Sequence, residues 1–173
     1  MCNFVSQGLM NFKELIHIGE DAARATLNYR GTPEAGMLAW LDSRELSVWW
    51  KTDSAIVEPF HGGMFYVTWS EKESSRQHAI YGIMDKVDTE NNIIEISKIM
   101  YISPAGKMGH LHLHISFERI NHHESRMTLV HTHHYRGQLL KLYNAAVLSS
   151  WPKTFVMLKR YLETNATVRF DNI

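Results

Sequence analysis

The chain has almost no cysteine, no net charge and no long apolar run, and each shortage closes off a class of protein. Cys2 is the single cysteine, so no intrachain disulfide is expected and a reducing compartment fits. It sits at the terminus without a defined histidine partner, which argues against thiol catalysis. Lysine plus arginine and aspartate plus glutamate stand at 18 each. With no basic run either, nucleic acid and anionic membranes are not expected partners. No segment reaches the ~18 continuous apolar residues of a membrane helix. The N-terminus lacks a charged leader followed by an apolar core, so a cytoplasmic protein without membrane insertion is expected. A glycine-x-serine-x-glycine nucleophile motif is absent, and Gly106-Lys107-Met108-Gly109 lacks the strand, spacing and helix of a phosphate loop.

What remains is a chain of 173 residues, enough for one domain with a sizeable core and too short for two ordinary ones. Residues 1–22 show neither clean period and read as an extension. The expected domain spans 23–165, with a tail over 166–173. Ala25, Leu27 and Tyr29 alternate with polar neighbours as a half-buried strand ending at Gly31. Thr32, Pro33 and Glu34 then open a short helix through Leu41, with Met37, Leu38 and Trp40 as its apolar positions. Asp42 and Glu45 have capping-box spacing, which starts a second short helix carrying Leu46, Trp49 and Trp50. From Ile56 to about residue 135 the pattern is strand, in five or six runs, and the Gly62-Gly63 pair marks a bulge or sharp bend. The runs 78–87 and 93–102 are apolar on both faces and reveal no inward side. A short helix over 139–148 leads into a longer one over 150–163, capped by Ser150 with Pro152 in its first turn. Trp151, Phe155, Leu158 and Leu162 share one face of that helix. The expected architecture is α+β. A curved antiparallel sheet of six to seven strands wraps a long C-terminal helix, and two short helices follow the first strand.

The order of these pieces resembles a known superfamily. Trp49-Trp50 closes the two short helices, Glu58-Pro59 and Gly62-Gly63 open a meander, and Thr128-Leu129-Val130-His131 precedes the tryptophan-led C-terminal helix. Over roughly residues 24–163 the chain is similar to the SRPBCC (START-like) superfamily, within it to the group of the activator of the ninety-kilodalton heat-shock protein ATPase. The resemblance implies a helix-grip fold with an apolar cavity between sheet and helix. Ser150 departs from the glycine usual before that tryptophan. The superfamily includes lipid carriers, cyclases and members without an assigned activity, so fold limits function only loosely.

Of eleven histidines, six fall on two strand runs, and these carry the remaining chemistry. Leu111, Leu113, Ile115 and Phe117 alternate with His110, His112, His114, Ser116 and Glu118, so the histidines take the outer face. Met127 and Leu129 point inward and carry His131 and His133 with them. A tight hairpin over 121–125 would set His112 opposite His134 and His114 opposite Thr132. His112, His114 and His134 are then candidate ligands for a zinc-like ion, with adventitious zinc or nickel or a plain hydrated surface as the alternatives. The surface reading also allows a homodimer contact. His131 and His133 could serve a cavity enzyme of cyclase or hydrolase type as general base, provided a carboxylate or tyrosine meets them. Most aromatics belong to the core, and Phe65, Trp69, Leu113, His131, Trp151 and Phe155 are the candidate ligand-binding lining. The expected function is binding of an apolar, lipid-like small molecule. A chaperone-contacting interaction module is the alternative, and it predicts an exposed apolar patch with a filled interior.

Overall fold

The structure is a computed structural model that describes residues 16–70 and 77–170, with side chains to residue 165. Cys2, the rest of residues 1–15 and the tail 171–173 lie outside the described residues. The chain runs β1 (Ile16–Ile18), β2 (Ala22–Arg30), α1 (Pro33–Leu41), α2 (Ser43–Trp50), β3 (Ser54–Val57) and β4 (Met64–Ser70). It continues through β5 (Gln77–Asp88), β6 (Ile93–Ser103), β7 (Gly106–Arg119), β8 (Glu124–Thr132) and α3 (Gly137–Phe170). The strands form one antiparallel sheet of eight in the order β1-β2-β8-β7-β6-β5-β4-β3. This is one strand more than the upper expectation. The addition, β1, lies in the segment whose pattern was unreadable.

Tyr29 docks α1 onto the sheet. Its hydroxyl donates to the Thr32 carbonyl at 3.1 Å, while the Thr32 hydroxyl accepts from Ala35 N at 3.2 Å as the helix N-cap. The Asp42 carboxylate caps α2 by accepting from Arg44 N and Glu45 N at 2.8 and 2.9 Å. The expected capping box is only half made. The Asp42 amide already donates to Leu38 O at the end of α1, so the Glu45 carboxylate accepts from the Tyr161 hydroxyl of α3 instead. Trp49 Nε1 donates to Ala39 O at 2.7 Å and fixes α2 against α1.

Bulges explain why two strands could not be read. In β6, Ile94 and Ile96 are buried on one phase and Ile99 on the other. Lys98 lies between them with φ 50°, and the pairing with β7 shifts there. One extra residue resets which alternate side chain faces the core and bends the strand. β7 repeats the device at His110, φ 62°, so that Met108 and Leu111 both face inward despite being three apart. β5 carries its own register shifts between Tyr81 and Ile83 and between Met84 and Lys86.

The two expected C-terminal helices are one. α3 passes through Pro152 without a break. Proline there leaves the Leu148 carbonyl, four residues earlier, without its helical amide donor. Ser150, expected to accept at an N-cap, instead donates its hydroxyl to Ala146 O at 2.7 Å, and Ser149 donates to the same carbonyl at 3.0 Å. The buried face then runs Tyr143, Val147, Trp151, Phe155, Leu158, Leu162, at spacings of four, four, four, three and four.

Candidate ligand cavity

The sheet curves around α3 without closing on it, leaving a cavity of about 280 Å³. That is near the lower end of the roughly 300–1,000 Å³ of small-molecule pockets. One wall is an aromatic row. Trp50 from α2 stacks on Trp69 from β4 with ring centres 6.0 Å apart, and Trp69 lies 6.1 Å from Tyr101 of β6. His78 extends the row off the cavity lining, 5.5 Å from Trp69 and nearly parallel, with its Nδ1 2.7 Å from the Tyr101 hydroxyl. Trp40 and Phe65 stand behind it on the lining. The opposite wall comes from β8 and α3, where Trp151 lies 5.8 Å from His131 and 5.9 Å from Phe155. The sheet supplies aliphatic floor through Ile99, Leu111, Leu113 and Leu129. Ala146, Ser149 and Ser150 are exposed and form the rim.

All six sequence-picked lining residues, Phe65, Trp69, Leu113, His131, Trp151 and Phe155, meet on this cavity. Sequence reasoning missed Tyr143. Its hydroxyl lies 3.1 Å from His131 Nδ1, and the signal for it was the α3 periodicity, which continues through Val147 once the helix is not stopped at Ser150. Burial pushes the His131 pKa down to about 3, aided by repulsion from His133 and His112, so the ring is neutral at physiological pH. Burial likewise holds the Tyr143 hydroxyl above its ordinary value and protonated. His133 is buried off the cavity, where its Nδ1 accepts from Tyr135 N at 3.3 Å. That bond places the ring proton on Nε2, which has no partner among the described residues.

The outer histidines are arranged differently from the expectation. β7 pairs with β8 so that His112 faces Thr132 and His114 faces Val130. This is two residues from the expected register, and His134 lies beyond the end of β8. The reason is the hairpin. The Asn121 carbonyl oxygen of the side chain accepts from His123 N and Glu124 N, which centres the turn one residue earlier. A shift of two preserves the faces and changes only the neighbours. His114 Nδ1 lies 3.3 Å and His112 Nε2 3.9 Å from the Glu95 carboxylate of β6. No three His, Cys, Asp or Glu side chains form a metal-holding group among the described residues. No described helix is long and apolar enough to cross a membrane.

An antiparallel sheet gripping one long helix around an apolar cavity defines a helix-grip protein of the START-like kind. The chain belongs to the family described as activator of Hsp90 ATPase homolog 1-like protein, whose profile matches residues 38–163. Similar solved structures include protein Ms6760 from Mycobacterium smegmatis, 12% identical with TM-score 0.71, covering 87% of this chain and 97% of that one. Protein NE0264 from Nitrosomonas europaea is 15% identical with TM-score 0.69, covering 87% and 99%. An HSP90 activator from Plasmodium falciparum is 16% identical with TM-score 0.55, covering 79% and 91%. At these identities the likeness concerns the fold. No curated protein matches the sequence significantly.

Proposed function

We propose that this protein binds a small apolar molecule between its sheet and α3. The observation that carries the reading is the 280 Å³ of space lined by aromatic and aliphatic side chains with an exposed rim. Water in such a space finds few hydrogen-bonding partners, whereas an apolar guest replaces it favourably. Catalysis by His131 is the weaker reading even though Tyr143 meets it. A general base works best with a pKa near the operating pH, and this ring is held far below it.

A neutral fluorescent probe tests the reading. N-phenyl-1-naphthylamine is expected to bind at one site with saturable fluorescence. Ala146→Trp, at an exposed rim position where a large ring can plug the mouth without disturbing the core, is expected to weaken it at least tenfold. Undiminished binding in that variant, at unchanged melting temperature, would place the dye elsewhere.

Contact with a chaperone is a second reading, supported by an outer apolar patch. Met64 and Ile83 are paired neighbours there, 47% and 36% exposed, with Ile56 on the adjoining β3 and Tyr81 two residues from Ile83 on β5. Patches of this kind mark protein contacts. Stimulation of an Hsp90-type ATPase that disappears on Ile83→Glu is the outcome this reading expects.

A further inference from the structure

We propose that the cavity selects an uncharged, flat, ring-bearing molecule carrying a single hydroxyl, of the phenol class, with that hydroxyl held by His131 Nε2. The inference rests on the reading of the cavity as a ligand site and adds the chemistry of what it takes.

Four observations carry it. None of the described lining residues is Asp, Glu, Lys or Arg. A carboxylate or ammonium entering there loses its hydration and meets no countercharge, which is costly. The walls are flat rings, stacked Trp50 and Trp69 on one side, with Trp151 and Phe155 opposite. Planar guests match such walls through offset stacking. The volume also sits near the lower end of small-molecule pockets, so a compact guest of about two fused rings suits it.

The fourth observation concerns the lining's polar atoms. Ser149, Ser150 and Thr154 donate their hydroxyl protons to helix carbonyls, the Tyr101 hydroxyl is engaged with His78, and the Tyr143 hydroxyl with His131 Nδ1. His131 Nε2 remains without a protein partner among the described residues, as do the indole N–H groups of Trp40, Trp50, Trp69 and Trp151, which can only donate. His131 Nε2 is also absent from the sealed polar atoms, in contrast to His133 Nε2, so it is open to the cavity. The neutral ring presents Nε2 as donor in one tautomer and acceptor in the other. A hydroxyl satisfies both, being donor and acceptor itself.

The test is a titration of the full chain at pH 7.5 with naphthalene, 2-naphthol and 2-naphthoate, followed by quenching of the cavity tryptophans. 2-Naphthol is expected to bind about tenfold more tightly than naphthalene, the worth of one well-made hydrogen bond. 2-Naphthoate is expected to bind at least tenfold more weakly than naphthalene. In His131→Phe the advantage of naphthol disappears while naphthalene still binds. Equal affinities for naphthol and naphthalene overturn the anchor and leave the apolar site standing, and tightest binding of naphthoate overturns the selection for neutral guests. Failure of all three to bind overturns the cavity reading as well. If His131→Phe does not fold, the ranking in the unsubstituted protein decides alone.

Discussion

Gly36→Ala is expected to destabilise the protein by roughly 2–3 kcal/mol, although the same change in an isolated helix would stabilise it by about 1 kcal/mol. A methyl at residue 36 would lie 2.7 Å from Phe117 Cδ1 and closer still to the Tyr29 hydroxyl. Both neighbours are buried parts of the core, 3% and 1% exposed, and Tyr29 is further tied to Thr32. They have no room to retreat, so α1 must lift from the sheet. The glycine is there for close approach, not for backbone freedom. A fall in melting temperature of several degrees is the expected reading for a chain of this size. In a Tyr29→Phe background the penalty of Gly36→Ala should shrink, because the nearest atom is gone. Equal penalties in both backgrounds would contradict the steric account.

Acid should unfold the protein earlier than carboxylate titration alone requires. His131 is neutral in the fold and held at about 3, whereas in the unfolded chain it returns to about 6.5. Above pH 6.5 both states are neutral and the ring contributes no pH dependence. Below it the unfolded state takes up a proton that the native state refuses, so stability falls by about 1.4 kcal/mol per pH unit until the native ring itself protonates. His133, lowered chiefly by burial, acts in the same direction. Urea unfolding at pH 7, 5.5 and 4.5 measures the effect. The slope in His131→Phe should be shallower by about one proton, and identical slopes would show that His131 is solvated in the native state.

These properties differ in how far they could be read from sequence. The inward faces of β7 and β8 were legible because alternation reports burial whatever the register. The register was not, since it depends on a side-chain-closed turn at Asn121 that competes with neighbouring turns of similar chemistry. β6 was opaque because Lys98 changes the phase of its alternation midway. Leu38, one of the apolar positions of the first helix, is 42% exposed, because Gly36, Met37, Ala39 and Trp40 are among the residues it buries. The six lining residues were recognisable as inward-facing aromatic and apolar positions. Tyr143 was hidden by a proline that usually starts a helix and here lies inside one.

The central claim is that the apolar site lies inside the grip of sheet and helix. Heteronuclear NMR of the protein titrated with N-phenyl-1-naphthylamine tests it most directly. The account predicts that the indole signals of Trp40, Trp50, Trp69 and Trp151 and the ring signals of His131 shift together with one dissociation constant, while Ile56, Met64 and Ile83 on the outer face stay in place. Shifts confined to those outer residues, with the cavity tryptophans unmoved, would contradict it and move the site of recognition to the convex surface.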